Sequence, residues 1–191
     1  MTVSFPTPVR TCAVALTMLM GASALAGPAG AATISETFKE VCQTTGASPA
    51  AATAAAAAHG WKNSDASGTT INGFTVDSKV SRSLHMGDAN LTLFAWHGTN
   101  KAGIQADECQ LASNHADFQQ VRDAVAANLA MQPQQSAADK AVFQYSMKDG
   151  AYQGIPDSSG FDAAAGAGGL HMLTVKKNAG GVFISLLKIH R

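Results

Sequence analysis

The sequence predicts an α+β domain: an antiparallel sheet of about six or seven strands, with two N-terminal helices and one long central helix packed mainly on one face. Three observations predict it. Helical periodicity falls in two blocks, 33–60 and 114–131, so helices and strands are segregated along the chain rather than alternating. The strand-like runs are joined by short turn-rich segments, as in antiparallel hairpins. Once the first 31 residues are set aside, about 160 remain, a length that suits one core.

Those 31 residues read as a secretory signal peptide. Arg10 supplies a positive start, 12–26 is a run of small and apolar residues, and Ala24-Leu25-Ala26 offers a cleavage site, with Ala29-Gly30-Ala31 as a second. Cleavage after Ala26 or Ala31 leaves one α+β domain over 32–191, expected in the periplasm or secreted. No lipid-attachment pattern precedes Cys12.

Charge is balanced, with 13 Lys+Arg against 13 Asp+Glu, and only Arg10 leaves with the leader. A nucleic-acid partner therefore lacks electrostatic support. No apolar stretch after the leader approaches the roughly 20 residues of a spanning helix. The mature chain keeps two cysteines, Cys42 and Cys109, and in an oxidising compartment such a pair is most simply a disulfide. Zinc or a catalytic thiol is the competing reading, but neither cysteine has a close-spaced second ligand. Closing so long a loop stabilises by roughly 4 kcal/mol in the chain-entropy account.

In chain order, 33–42 reads as a helix capped by Thr33, with Glu36 in the capping-box position and Ile34, Phe38, Val41 and Cys42 on one face. A second helix opens at Pro49, runs through the alanine block and stops at Gly60. Residues 63–69 are polar and turn-rich; 71–76 and 80–86 read as two short strands. Residues 91–97 form the strongest strand, apolar on both faces, and 104–112 follows with an expected bulge near Asp107 and Glu108. The long helix spans 114–131, capped by Ser113 or Asn114. After a linker over 132–139 come strands at 142–147 and up to Ile155, a loose glycine-rich stretch at 157–169, and a closing hairpin, 170–176 with 182–189.

A helix with Phe38 and Cys42, an alanine-rich helix ending in Gly60-Trp61, and strands leading to Cys109-Gln110-Leu111 before a long helix resemble a family of small uncharacterised secreted proteins of proteobacteria. The resemblance covers most of the mature chain, implies a bacterial envelope setting, supports the disulfide and brings no activity with it.

The chemistry is sparse. The six histidines are isolated, with no helical i, i+3 or i, i+4 pair. If 87–90 forms the turn, opposed residues sum to about 177, so His85 faces Thr92 and His97 faces Val80, too far apart to share an ion. No metal or other cofactor is expected. There is no nucleophile elbow, and Gly166-Ala167-Gly168-Gly169 lacks the strand-loop-helix setting of a phosphate cradle. The best acidic neighbourhood is Asp107 or Glu108 beside His97 across the 98–103 loop. Trp61, just past a helix end, and His97 are the candidate ligand contacts. The reading is an exported non-catalytic envelope protein that binds a protein partner or a small ligand; the alternative is a small secreted hydrolase with a dispersed catalytic set.

Overall fold

A computed structural model describes residues 29–65, 71, 73–167 and 169–190. Residues 1–28 (most of the expected leader), most of the 66–72 segment, Gly168 and Arg191 lie outside the described residues. The fold departs from the expected one. Among the described residues it is dominated by a nine-stranded, wholly antiparallel sheet, and the four α-helices there are short.

The strands are β1 (Lys62–Asn63), β2 (Phe74–Met86), β3 (Ala89–Asn100), β4 (Gln105–Ser113), β5 (Gln135–Ser136), β6 (Lys140–Lys148), β7 (Ala151–Gly154), β8 (Leu170–Asn178) and β9 (Gly181–His190). Their order across the sheet is β1-β2-β3-β4-β9-β8-β6-β5, with β7 also on β6. The C-terminal hairpin therefore inserts between β4 and β6, and β9 is a central strand.

Helix α1 (Ala29–Phe38) starts before Thr33, whose position is therefore interior to the helix and not its N-terminal cap position. It widens into a π-helical segment, Lys39–Gln43, where Val41 and Cys42 are both fully buried. Helix α2 (Pro49–Ala58) buries Ala52 and Ala56; small side chains let it approach the sheet closely. The expected long helix is only α3 (Phe118–Leu129). Its cap is Asp117, whose Oδ1 accepts from the Gln120 N–H at 3.0 Å, while Asn114 Oδ1 instead accepts from the Asn90 N–H at 2.7 Å. The stretch expected to be loose contains a 3₁₀ turn, Ser158–Gly160, and a short helix α4 (Phe161–Gly166).

Alternation along the strands assigns the two faces. Leu91, Leu93, Ala95, Cys109, Leu111, Ile184, Leu186, Leu173 and Phe143 form the main core with α1, α2 and α3. The opposite face carries two smaller clusters: Phe94, Trp96 and Ala106 with Phe74 and Val76, and α4 with Ile155 and Leu170. Trp61 belongs to the main core and is 6% exposed.

Two register details matter for the site. The β2–β3 turn is the two-residue Gly87-Asp88, so opposed residues sum to 175: His85 faces Asn90 and His97 faces Ser78, not Thr92 and Val80. The expected pair of short strands is one 13-residue strand, interrupted by a bulge at Asp77 between Val76 and Ser78. No bulge occurs at Asp107 and Glu108, where β3 and β4 pair without a break. The parity that suggested one comes from Ala106 facing the second cluster while Cys109 faces the first. Backbones crowd at the true bulge: a Cβ on Gly98 would lie 2.4 Å from the Thr75 carbonyl oxygen.

Candidate functional site

Cys42 and Cys109 are joined as a disulfide with Cα atoms 5.4 Å apart, tying the π-helical segment to β4. The rung of the sheet beneath it is apolar throughout. Ala95, Cys109, Leu186, Leu173 and Phe143 are directly opposed across five strands and at most 1% exposed. Two residues further along each strand, on the same face, every side chain in the corresponding rung is polar or titratable. Ser78, His97, Asp107, Lys188, His171 and Tyr145 are opposed in turn on β2, β3, β4, β9, β8 and β6. Burial differs along this rung: Ser78 is exposed, His97, Asp107 and Lys188 are half-buried, and His171 and Tyr145 are buried.

One half of the rung gathers around Asp107. Its Oδ1 is 2.8 Å from His97 Nδ1, and its Oδ2 is 3.7 Å from Nε2 of His190, which lies one further step along β9. The other ring nitrogen of His97, Nε2, is 3.8 Å from Asp77 Oδ2 at the bulge. The two imidazole centroids are 6.5 Å apart. His190 Nε2 is shielded from solvent yet has no hydrogen-bond partner among the described residues.

The other half lies under the turn at 44–47. There Gln43, Thr44, Gly46, Tyr145, Met147, Tyr152, His171, Leu186 and Lys188 line a 270 Å³ cavity. His171 is 6% exposed and stacks on Tyr145, with centroids 5.1 Å apart and planes within 3°. Burial, and secondarily the Lys188 ammonium, push its pKa down from 6.5 to about 4, against an opposing contribution from the Gly169 backbone. The ring is thus neutral at physiological pH. Burial also drives the Tyr145 hydroxyl well above the ordinary phenol range, only partly offset by its hydrogen bond with the Gln43 side chain. Lys188 forms no salt bridge among the described residues.

Of the acids expected near His97, the structure brings in Asp107 and removes Glu108. Glu108 points to the opposite face, where its Oε2 accepts from Trp96 Nε1 at 2.8 Å. A hydrolase would need a hydroxyl at His97 Nε2. The group there is the Asp77 carboxylate, and no hydroxyl among the described residues hydrogen-bonds to His97. Trp61, in the core, lines none of the described cavities.

Sequence reasoning missed Asp77, His190, Lys188, His171 and Tyr145 as site residues. One signal was present. On β3, β4, β9, β8 and β6 the inward apolar stripe ends in a polar residue: Leu93-x-Ala95-x-His97, Asp107-x-Cys109, Leu186-x-Lys188-x-His190, His171-x-Leu173 and Phe143-x-Tyr145. Only the β4–β9 and β8–β9 registers reveal that these ends coincide.

Compared with protein-family models, curated proteins and solved structures, the chain matches none. The disulfide is compatible with an oxidising compartment, and no helix among the described residues is long and apolar enough to cross a membrane.

Proposed function

We propose that this is an exported, non-catalytic binding protein of the bacterial envelope whose ligand is a small organic anion, held in the cleft beneath the 44–47 turn. The leader-like N-terminus, the disulfide and the resemblance to small secreted proteobacterial proteins support the setting. One observation carries the ligand class: Lys188, which has no carboxylate partner among the described residues, stands in the wall of a cavity that also holds Tyr145, Tyr152, Met147, Leu186 and a neutral imidazole. An ammonium beside aromatic walls favours a ligand with one carboxylate and an apolar body.

The test is thermal unfolding of the mature protein with benzoate, with neutral benzamide as the control. A ligand at about 100 times its Kd stabilises by about 2.7 kcal/mol. Benzoate is expected to raise Tm, benzamide is not, and Lys188→Met removes the response. No shift with benzoate overturns the reading. Capture of one stoichiometric protein from envelope extract, with benzoate inert, favours a protein-binding role instead.

A further inference from the structure

We infer that His97, Asp107 and His190 form a binding site for a single divalent transition-metal ion of the zinc, nickel or copper class. The inference stands apart from the anion cleft and does not rest on it. Each of the three side chains offers one donor atom, and these atoms all lie within 4.8 Å of one another. Two imidazole nitrogens and one carboxylate oxygen are the donor set that these ions prefer, whereas calcium and magnesium require mostly oxygen.

One carboxylate–imidazole spacing is a hydrogen bond and the other is an unfilled gap, and an ion placed between the three side chains would serve both. Two donors bound to one zinc at about 2.0–2.2 Å stand roughly 3.3 Å apart in a tetrahedral arrangement. Asp107 Oδ1 sits 2.8 Å from His97 Nδ1 and its Oδ2 3.7 Å from His190 Nε2, so small side-chain rotations would bring one oxygen and both nitrogens to that spacing. The second is too long for a hydrogen bond. Yet His190 Nε2 is shielded from solvent and satisfied by nothing else among the described residues. A buried ring nitrogen that faces a carboxylate across such a gap is costly unless something fills it.

The surroundings supply the rest of a metal site. His97 Nδ1 faces Asp107, and its Nε2 faces the Asp77 carboxylate at 3.8 Å. With Nδ1 on the ion, Nε2 carries the proton, and closing the 3.8 Å gap lets it donate to Asp77, the carboxylate–histidine–metal relation that fixes ring orientation. Asp77 is therefore a positioning residue, and the β2 bulge is what brings it within reach of the ring. His97 and His190 side chains are 31% and 28% exposed, so an ion has an entry path and keeps open coordination positions for water. Three protein ligands with open positions describe an exchangeable ion rather than a closed structural one. The disulfide already staples the fold.

The experiment is a zinc titration of the untagged mature protein by calorimetry, paralleled by NMR of the histidine rings. One zinc per chain is expected. The His97 and His190 ring resonances move, while those of His59, His85, His115 and His171 stay in place. His190→Gln and Asp107→Asn are each expected to weaken zinc binding at least tenfold, and Asp77→Asn by a smaller factor of up to about tenfold. Near-UV circular dichroism confirms that each variant is folded, and if one is not, the wild-type ring shifts decide alone. Absence of saturable zinc binding, ring shifts at other histidines, or folded variants that bind as wild type would each overturn the assignment.

Discussion

The two halves of the polar rung stand two residues beyond the same apolar rung, yet they do different chemistry because they are covered differently. Around Asp107 no lid is formed by the described residues, and His97 and His190 keep 31% and 28% of their side-chain surface. Beneath the 44–47 turn, His171 is 6% exposed and its protonation is suppressed to about 4. The open half pairs each imidazole with a carboxylate; the covered half has a cation and two tyrosines but no acid. A strand register delivers polar groups to one line, and the helical layer then decides which of them are solvated. The lesson is that a site here is the product of register and cover together.

The largest break in this comparison comes from the disulfide, because it pins the cover. The doubly substituted Cys42→Ala, Cys109→Ala protein is expected to lose roughly 4 kcal/mol in urea unfolding. The loss should fall unevenly on what remains folded. Gln43, Thr44 and Gly46 line the cleft immediately after Cys42, so loosening that segment rehydrates His171. Its NMR titration midpoint is then expected to climb from about 4 toward 6.5, while the His97–Asp107 contact between β3 and β4 persists. Equal changes at both histidines would remove the distinction between the two halves.

A second test isolates the covered half. The unfolded chain protonates His171 near 6.5 and the folded protein only near 4. Between those values the unfolded state holds the extra proton, so stability falls as pH is lowered, and the fall is complete below about pH 4. The full difference is worth about 3 kcal/mol. His171→Phe keeps an aromatic ring against Tyr145 and removes the titration. Relative to that variant, wild type is expected to lose about this amount between pH 6.5 and 4, followed by denaturant midpoints at each pH. Parallel curves for the two proteins would mean that His171 is solvated.

Much of the local structure was legible in the chain, and the site mostly was not. Helix α2 lies between the Pro49 start and the Gly60 stop because both signals act within a few residues. The two-sided apolar run of β3 likewise marks a strand packed on both faces. The failures have physical causes. Thr33 and Glu36 imitate a capping box, but the preceding alanines extend α1 back to Ala29. Residues 114–117 continue the helical pattern of α3, yet Asn114 is drawn away to the β3 backbone. Reading α4 as loop followed from its glycines; burial of Ala164 and Ala165 against Leu170 overrides them. In the site, His97 and Asp107 were placed together because one short hairpin joins them. His190 and His171 reach the same rung only through insertion of β8 and β9 beside β4, a non-local event that no window of sequence records.

The smallest expected effect sharpens the open half. Asp77 is 54% exposed and meets His97 at 3.8 Å, so as an ion pair it contributes little in the absence of metal. Asp77→Asn is expected to change unfolding free energy by less than about 1 kcal/mol. The same substitution is predicted to weaken zinc binding measurably, since it removes the carboxylate on which the His97 Nε2–H would close when the ion binds. A stability loss well above that bound would make Asp77 a structural element of the bulge, where the Gly98 backbone closely approaches that of Thr75 and Val76. A neutral effect on folding together with weaker binding assigns Asp77 to the orientation of the His97 ring. Near-identity of folding free energies is therefore the informative half of the result.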